Sequence, residues 1–444
     1  MAKSPPISAA REEALRRLKR IDEGAYIGLE GLDADMLEAR DARLAMEYVA
    51  GVTRWRRRLD HILQHYYRGD FENLEPDLKQ ILRIGLYEIL FLSTPDYAAV
   101  NENVELAKQR IRAGAGGLVN GVLRSVVRNL DDLPQPATGD PAEDMGILHS
   151  HPTWLVRRWV DRYGADTTKA LLEWNNTRPV YGVRVNTLKI SVDDFLRRLT
   201  ELDVGWEPGN YIDYFVRVQN VQPLLEAGLL RDGYCAVQDE AAGLLVTLMD
   251  PMPGETVLDM CAAPGGKAIH AAQEMRNEGR VVAADVHPAR LRLVRRAAEQ
   301  QGASIVELRQ ADARELKPND VTADRVLVDA PCSGTGVLSK RADLRWKRAP
   351  EDLDGLIRLQ EEILETAAAL VAPGGILVYG TCSIEPDENE ERVREFLARH
   401  PEFELEEARD FVPVELTDAS GLYRTFPPRD GVDGAFGARM RRKS

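Results

Sequence analysis

The stretch that decides the fold is Val257-Leu-Asp-Met-Cys-Ala-Ala-Pro-Gly-Gly-Lys267. It opens with a short apolar run typical of a buried β-strand, passes through a turn of small residues, and enters a segment with helical periodicity. Glycine and alanine let a ligand approach the backbone closely, and the first turn of a helix offers unpaired amide groups. The pattern therefore predicts a strand, a ligand-binding turn and a helix in succession.

Strand and helix patterns alternate from this stretch to the C-terminus. Apolar runs occur at 255–259, 280–284, 325–328 and 375–379, and the helical stretches between them are Ala268–Met275, Ala289–Gln301 and Leu353–Leu370. Strands that alternate with helices pair in parallel, and the helices cover both faces of the sheet. We therefore predict an α/β fold for residues 241–444, with a doubly wound, mostly parallel, Rossmann-like sheet.

The first part of the chain has a different pattern. Between residues 1 and 130, apolar residues recur at three- and four-residue spacing, which predicts an all-helical bundle. The predicted helices are Ala9–Ile21, Ala42–Leu63, Leu78–Leu92, Asn101–Ile111 and Leu118–Leu130. Gly114-Ala-Gly-Gly117 is expected to interrupt the chain before the last of these helices, because glycine disfavours a helix interior.

Two segments join the bundle to the sheet. Residues 131–146 are rich in proline, glycine and aspartate and predict a linker. Residues 147–240 mix the two patterns, with a predicted helix at Pro152–Tyr163 and a predicted strand at Val180–Val185. This mixture predicts a small α+β segment.

Composition narrows the class of protein. With 444 residues, of which 44% are hydrophobic and 29% charged, the chain has room for several domains with their own cores. No apolar stretch reaches the ~20 residues that cross a bilayer, and the N-terminal Met1-Ala-Lys-Ser-Pro-Pro6 lacks the apolar segment of a secretion signal. We expect a cytoplasmic protein with no membrane partner. Nothing in the sequence indicates an oligomer, and a monomer is expected.

The net charge of −14 is unevenly distributed. Residues 351–410 hold 17 acidic and 5 basic side chains, which leaves the rest of the chain close to neutral. We interpret the acidic run as a solvated helix face. Locally basic surfaces elsewhere remain compatible with a nucleic-acid partner, since the local field matters more than the total. Two clusters are candidates, 54–58 and 340–348, and the second includes Trp346 for base stacking.

Three aspartates mark successive strand ends, at Asp285, Asp312 and Asp329. One such aspartate is commonly a turn former, but three after a glycine turn indicate a nucleoside site, because an acid at a strand end binds ribose hydroxyls in doubly wound sheets. The dinucleotide pattern GxGxxG is missing, which disfavours a nicotinamide oxidoreductase. A nucleoside without phosphates, such as S-adenosylmethionine, fits the pattern.

The chain has four cysteines, Cys235, Cys261, Cys332 and Cys382. They are too few for a disulfide framework, and none has zinc-ligand spacing, so neither disulfides nor a metal are expected. Cys332 and Cys382 each follow a strand pattern, which places both at the ligand-binding edge of the sheet. Buried cysteines are usually inert, but this joint placement beside a cofactor turn favours nucleophilic chemistry. The spacing alone does not say which of the two attacks.

Three motifs together resemble the RNA 5-methylcytosine methyltransferases of the Sun/Fmu type. They are Val257–Lys267, Asp329-Ala-Pro-Cys-Ser-Gly-Thr-Gly-Val337 and Gly380-Thr-Cys-Ser-Ile384. Residues 1–130 resemble the helical domain of the antitermination factor NusB, and the tail Asp433-Gly-Ala-Phe436 is also similar, although Ala435 replaces an aromatic residue that is commoner there. That replacement is expected to affect local packing only.

The resemblance implies a function and a set of residues. The enzyme would methylate carbon 5 of a cytosine in RNA, with small-subunit (16S) ribosomal RNA as the expected substrate, and the segments 1–130 and 147–240 would bind RNA. Cys382 would be the nucleophile, and Cys332 would assist product release. S-adenosylmethionine would be held by Cys261, Ala262, Ala263, Pro264, Gly265, Gly266, Lys267, Asp285, Asp312 and Asp329.

The chemistry explains why such an enzyme needs a cysteine. Carbon 5 of cytosine is a poor nucleophile, and addition of a thiolate to carbon 6 makes it reactive. A free thiol has a pKa near ~8.5, so the site must favour the thiolate. Asp329 is a candidate partner for the proton on ring nitrogen 3. The alternative to an enzyme is an RNA-binding assembly factor that kept the fold, but such a factor has no need of Cys332, Cys382 and Asp329 together.

Overall fold

The structure, a computed structural model, describes residues 8–25 and 37–444. The parts of the predicted helical bundle at 1–7 and 26–36, including the N-terminal hexapeptide, lie outside the described residues. The described chain divides into two compact units, one formed by Met1–Thr177 with Leu338–Lys347 and the other by Arg178–Val337 with Arg348–Ser444.

The helices of the described residues are, in chain order, α1 (Ala9–Asp22), α2 (Ala39–Tyr66), α3 (Pro76–Phe91), α4 (Asp96–Arg110), α5 (Ala113–Val127), α6 (Pro141–Leu148), α7 (Thr153–Tyr163), α8 (Ala165–Asn176), α9 (Val192–Glu201), α10 (Gln222–Glu226), α11 (Glu240–Met249), α12 (Gly266–Glu274), α13 (Pro288–Gln301), α14 (Leu344–Lys347), α15 (Pro350–Leu370), α16 (Glu390–Arg399) and α17 (Pro427–Asp430). The strands are β1 (Tyr181–Val185), β2 (Trp206–Pro208), β3 (Phe215–Val218), β4 (Cys235–Val237), β5 (Thr256–Asp259), β6 (Arg280–Asp285), β7 (Val306–Gln310), β8 (Ala323–Asp329), β9 (Val371–Thr381), β10 (Phe403–Glu406), β11 (Tyr423–Arg424) and β12 (Phe436–Arg442).

The first unit is all helical over its described residues, which confirms the prediction for the N-terminal part of the chain. Its core combines the apolar stripes of α1 to α5. Helix α4 begins at Asp96, five residues before the predicted start, and α6 overlaps the end of the segment that composition predicted as a linker and continues two residues past it. The strand-free core shows that amphipathic periodicity identified these helices correctly.

The predicted interruption at Gly114–Gly117 is wrong, because these residues form the first turns of α5. A side chain at Gly116 would collide with the aliphatic part of Lys108 on α4. Glycine therefore allows the two helices to approach closely. Each interior glycine costs roughly 1 kcal/mol relative to alanine, but most of the stability of a helix in a protein comes from tertiary packing.

Several arginines of the two basic clusters bind backbone carbonyl oxygens inside the first unit. Arg54 and Arg58 are each 8% exposed. Arg54, Arg57 and Arg58 donate to the carbonyl oxygens of Ser339, His151 and Pro134. The expectation that these two clusters are available to contact RNA is therefore wrong for their buried members.

Arg345 is the clearest example of a basic side chain that binds backbone carbonyl oxygens inside the unit. It is 0% exposed, and its guanidinium donates to the carbonyl oxygens of Ser150 (3.1 Å) and Asn175 (3.0 Å). Trp346 donates from Nε1 to the carbonyl oxygen of Thr53 at 2.7 Å, so its ring is held within the unit rather than presented for stacking. Guanidinium groups satisfy loop carbonyls that no helix or strand pairs.

In the second unit, β1 to β4 form an antiparallel sheet of order β2-β3-β1-β4. The large sheet has the order β10-β12-β9-β8-β5-β6-β7, and β11 pairs with β12. Strands β5 to β9 are parallel, and β12 and β10 add an antiparallel edge. The prediction of a mostly parallel, doubly wound sheet is confirmed.

The large sheet buries both of its faces. Val257 and Leu258 are neighbours on β5, and they lie in two different core clusters on opposite sides of the sheet. One cluster includes residues of α11, α12 and α13, and the other includes residues of α15 and α16. Along the chain, the strands are added on one side of β5 as far as β7, and β8 then pairs on the other side of β5. The strand order therefore reverses between β5 and β8. Ligands of open α/β sheets bind at this position.

No helix among the described residues is both long and apolar enough to cross a membrane.

The buried position of Arg345 leads to a stability prediction. Arg345→Ala removes the donors for several buried carbonyl oxygens and leaves a cavity, so we expect a loss of about 3–5 kcal/mol in the free energy of unfolding. Urea unfolding followed by tryptophan fluorescence measures it. Arg20→Ala, at an exposed position of α1, is the matched control and should change stability by less than about 0.5 kcal/mol. Equal stability of the two variants would contradict the role given to Arg345.

Candidate active site

Two cysteine turns meet at the carboxyl ends of β8 and β9. Asp329 of β8 pairs with Gly380 of β9 in parallel register, and Ala330 donates its amide to the Gly380 carbonyl oxygen at 2.8 Å. Cys332 and Cys382 follow these paired residues by two to three positions. Their Sγ atoms lie 3.3 Å apart and share a hydrogen bond, and both residues are half-buried. The joint placement predicted from the strand patterns is what the structure has.

The tail of the chain packs against the same place. The amide of Gly336 donates to the Cys382 carbonyl oxygen at 3.0 Å, and the amide of Gly434 donates to the Gly336 carbonyl oxygen at 2.8 Å. A side chain at Gly336 would collide with the backbone oxygen of Gly434. The glycines in the loop after Cys332 and in the Asp433–Phe436 tail are therefore required by close backbone contact.

The turn after β5 is shaped by its glycines and by backbone hydrogen bonds. Gly265 adopts φ +107°, a region that residues with a side chain rarely occupy, and its amide donates to the Ala262 carbonyl oxygen. The Ala262 amide donates to the carbonyl oxygen of Ala284, near the end of β6. Helix α12 then begins at Gly266, directly after this turn, and no side chain caps its N-terminus.

A lysine and two carboxylates lie at the ends of β5 and β8. Lys267, in the first turn of α12, places Nζ 2.7 Å from Oδ2 of Asp329. Burial, the largest single influence, lowers the pKa of Lys267, but the attraction and hydrogen bond of Asp329 together with the attraction of Asp259 and Cys382 leave the pKa raised. A protonated Lys267 therefore interacts electrostatically with the sulfur of Cys382.

Asp259, the last residue of β5, belongs to this site although sequence reasoning did not select it. It is 1% exposed, and its Oδ2 has no hydrogen-bond partner among the described residues. Burial, followed by repulsion from Asp329, raises the pKa of Asp259 to about 7. Its position at a strand end, like those of Asp285 and Asp329, was the signal that could have identified it.

The remaining predicted aspartates lie at the ends of the next two strands. Asp285, at the end of β6, accepts from the His287 amide at 2.8 Å, and its Oδ2 lies 3.3 Å from the guanidinium of Arg290. Asp312 follows β7 and forms an ion pair of 2.7 Å with Arg314, which together with the Arg314 amide lowers its pKa. The Ala311 amide donates to the Asp285 carbonyl oxygen, so the two aspartates share one edge of the sheet.

The four thiols have different surroundings. Burial and the nearby carboxylates Asp259 and Asp329 raise the pKa of Cys261, and burial raises that of Cys235 to about 12. The hydrogen bond with Cys382, then burial, raises the pKa of Cys332. These three thiols therefore hold their protons at neutral pH, and a reactive thiolate at Cys261 or Cys235 is disfavoured.

Sequence reasoning also missed two residues that hold the cysteine turns. Arg348 donates to the carbonyl oxygens of Cys332 and Ser333 at 3.1 and 3.2 Å. Glu388, which ends the 3₁₀ turn Pro386–Glu388, is 0% exposed and accepts from Ser333 and Ser383. Arg348 belongs to the basic cluster 340–348, but composition does not show that it binds backbone carbonyls. Glu388 has no pattern of its own, since Ser333 and Gln360, two of its partners, are distant in sequence.

Comparison with known families defines the class of the chain. Residues 246–441 match the family model described as 16S rRNA methyltransferase RsmB/F, residues 8–128 match the NusB family, and residues 151–224 match the ferredoxin-like domain of RsmF/B-like methyltransferases. The three matches follow one another along the chain in the order helical unit, small sheet and large sheet. The protein is thus of the RsmB/F methyltransferase type.

Curated relatives match nearly the whole chain. The chain is 33% identical to the "Probable ribosomal RNA small subunit methyltransferase B" of Bacillus subtilis, over 98% of this chain and 99% of the relative. It is 34% identical to the "Ribosomal RNA small subunit methyltransferase B" of Yersinia pseudotuberculosis, over 91% of each. The crystal structure of PH0851 superposes with a TM-score of 0.80 and 28% identity, over 99% of this chain and 100% of that one. The chain belongs to the family of ribosomal RNA small subunit methyltransferase B.

The raised pKa of Asp259 leads to a test by pH. Its pKa is higher in the folded protein, about 7, than its ordinary value of 3.8, so its proton stabilises the fold. That contribution is complete below about pH 4 and is lost as the pH rises through about 7, which amounts to about 4 kcal/mol. Asp259→Asn stays neutral, and between pH 4 and 8 it should gain about this much stability relative to the wild type.

Urea unfolding of both proteins across this pH range measures the difference. Asp213→Asn is the control, because Asp213 is exposed and no carboxylate of the site changes. A constant difference between wild type and Asp259→Asn at all pH values would show that Asp259 is ionised throughout.

Proposed function

We propose that this protein transfers a methyl group from S-adenosylmethionine to carbon 5 of a cytosine in RNA, with small-subunit (16S) ribosomal RNA as the substrate. The observation that carries the proposal is the pair of cysteine sulfurs 3.3 Å apart at the ends of β8 and β9, beside the Lys267–Asp329 ion pair. Family membership supports ribosomal RNA as the substrate, since the relatives named above are ribosomal RNA small subunit methyltransferases.

The residues at the strand ends fit S-adenosylmethionine. The orphaned Oδ2 of buried Asp259 requires a donor, and the ammonium group of the methionine part would supply one. Asp285 and Asp312 would bind the ribose and the adenine amino group. The predicted set Cys261, Ala262, Ala263, Pro264, Gly265, Gly266 and Lys267, with Asp285, Asp312 and Asp329, forms the proposed cofactor site. When bound, S-adenosylmethionine supplies an electrophilic methyl group on a sulfonium.

In the proposed mechanism, Cys382 is the nucleophile. Its thiolate adds to carbon 6 of the cytosine, and the ring then reacts through carbon 5. The Lys267 ammonium interacts electrostatically with the sulfur of Cys382. Asp329 would bind the ring at nitrogen 3 and steady the proton that arrives there. After methylation a base removes the proton from carbon 5, and the thiolate leaves by elimination.

The two cysteines are assigned by their motifs. A Pro-Cys cysteine, which here is Cys332, attacks in DNA 5-methylcytosine enzymes, whereas the RNA family to which this chain belongs uses the Thr-Cys cysteine, here Cys382. We therefore assign attack to Cys382 and assistance in release to Cys332. The raised pKa of Cys332 supports this assignment, because a thiol that keeps its proton is a poor nucleophile and has a hydrogen to donate.

The substrate base must leave its stack to reach the cysteine pair. A cytosine in a helix cannot contact a sulfur at a sheet edge, so it must be single-stranded or flipped out. We assign RNA binding to residues 1–130 and 147–240, which the linker 131–146 joins. We assign catalysis to residues 241–444. Because Arg54, Arg58 and Arg345 are buried, RNA contacts would come from other basic residues of these segments.

The roles of the cysteines can be tested by trapping. Cys332→Ala should retain attack but slow release, so that a covalent RNA–protein adduct accumulates, whereas Cys382→Ala should form no adduct and transfer no methyl group. Denaturing gel electrophoresis with RNA and labelled cofactor measures both. Cys235→Ala, on β4 and outside the cysteine pair, is the control. An adduct in Cys382→Ala together with none in Cys332→Ala would reverse the assignment.

Asp329 and Asp312 are expected to act on different kinetic constants. Asp329→Asn weakens the partner of ring nitrogen 3, so kcat should fall about 100-fold, whereas Asp312→Asn loses a cofactor contact and should mainly raise KM for S-adenosylmethionine. Steady-state kinetics with 16S ribosomal RNA measures both variants. Unchanged turnover of Asp329→Asn would remove its proposed role.

A further inference from the structure

The turns after the two cysteines are held by one buried carboxylate. Ser333 follows Cys332, and Ser383 follows Cys382. The hydroxyl groups of both serines donate to the same oxygen of Glu388, Oε2, at 2.5 Å each. The Ser333 amide donates to the other oxygen, Oε1, at 2.8 Å. A single side chain therefore contacts the residue next to each cysteine.

Two further side chains, those of Gln360 and Tyr379, hold Glu388 in place by hydrogen bonds. Gln360 on α15 donates to its Oε1 at 3.1 Å and to the Pro331 carbonyl oxygen at 2.9 Å. The hydroxyl of Tyr379 donates to the Glu388 carbonyl oxygen at 2.6 Å. Glu388 thus links α15 and β9 to the turns that carry Cys332 and Cys382.

This carboxylate is unusual in its surroundings. Glu388 is 0% exposed, and no lysine, arginine or histidine of the described residues forms an ion pair with it. A buried charge without a counter-ion is costly unless hydrogen bonds satisfy it, and four donors do so here. Apolar packing would stabilise the fold more simply, so the contacts made by the carboxylate point to a role in the site.

We propose that Glu388 is a positioning residue that holds the Cys332 and Cys382 turns against each other, so that the protonated thiol of Cys332 meets the sulfur of Cys382 when the methylated base is released. This inference rests on the proposed function and deepens it.

The release step shows why the separation matters. A base takes the proton from carbon 5, the electrons of that C–H bond form the C5–C6 double bond, and the C6–S bond breaks. The electron pair of that bond leaves on the Cys382 sulfur as a thiolate. A thiol 3.3 Å away donates a hydrogen bond to this thiolate and stabilises it as it departs. A displacement of about 1 Å is enough to lose much of such an effect.

The charge of Glu388 also helps Cys332 to keep its proton. Its electrostatic repulsion is among the causes that raise the pKa of Cys332, after the Cys382 hydrogen bond and burial. Cys332 therefore keeps the proton that it donates. Lys267 interacts with Cys382, so the two cysteines face charges of opposite sign.

Three variants separate position from charge. Glu388→Gln removes the charge and keeps the shape, the double variant Ser333→Ala/Ser383→Ala removes the two hydroxyl contacts and keeps the charge, and Glu391→Gln on α16 is the matched control. Glu391 is a half-exposed residue of the same type with no ion pair or hydrogen bond to the cysteine turns. Thermal unfolding and S-adenosylmethionine binding establish that each full-length variant is folded.

The first readout is the covalent adduct. In single-turnover reactions with 16S ribosomal RNA, Glu388→Gln and the double serine variant should form adduct and then release it about tenfold or more slowly than the wild type. KM for S-adenosylmethionine should remain unchanged. A general loosening of the domain would instead change this KM. Release at the wild-type rate in both variants would overturn the inference.

The second readout does not depend on methylation. The oxidant diamide takes the hydrogens of two neighbouring thiols and leaves a disulfide, so the rate of Cys332–Cys382 bond formation, measured by mass spectrometry, reports how well the sulfurs are held together. It should fall about tenfold in the double serine variant, in which the charge is unchanged. The midpoint pH for alkylation of Cys332 by iodoacetamide should fall in Glu388→Gln and stay constant in Glu391→Gln.

These readouts distinguish the two proposals. If the wild type forms no adduct but cross-linking and alkylation change as expected, the proposed function fails and the positioning role of Glu388 stands. If the wild type forms adduct but cross-linking, alkylation and release are the same in all variants, the function stands and the inference about Glu388 is wrong.

Discussion

Parallel pairing of β8 between β5 and β9 is the constraint on which the site depends. It aligns the carboxyl ends of three strands, and each end carries a residue of the site: Asp259, Asp329 and Thr381, the last followed by Cys382. The pairing is specified by near-continuous apolar runs, since these strands are buried on both faces. A one-residue slip of β9 against β8 would turn every side chain to the opposite face and separate the cysteine pair.

Electrostatics at this edge follows from the same alignment. Three strands end in aspartate at Asp259, Asp285 and Asp329, and one lysine, Lys267, faces the first and third. Carboxylates that share a buried site cannot all ionise at low cost, and Asp259, the most buried of them, holds its proton up to about pH 7. An incoming ligand with positive charge would relieve this repulsion, which is consistent with a sulfonium and ammonium cofactor and inconsistent with a phosphate-bearing one.

Much of this arrangement could be predicted from the sequence. Apolar runs located the strands, and the residues that follow them located Cys332, Cys382, Asp285 and Asp329 at one edge, because strand ends in a parallel sheet share a side. Gly114–Gly117 could not be interpreted in this way, since the benefit of glycine there is a tertiary contact with Lys108. The use of buried arginines was equally hidden: Arg345 binds carbonyl oxygens far away in the sequence, and composition cannot distinguish it from a surface residue.

Glu388 and Asp259 show what periodicity leaves out. Both are acids at almost fully buried positions, where apolar side chains of similar size would stabilise the fold at least as well. Among the described residues, one oxygen of Asp259 has no hydrogen-bond partner, whereas Glu388 accepts four hydrogen bonds. In both cases the carboxylate lies within one or two contacts of the cysteine pair or of the turn after β5. Stability alone does not account for such residues. In the proposed mechanism, one cysteine attacks and the other keeps its proton, so the two need different charges beside them, and Lys267 and Glu388 would provide that difference.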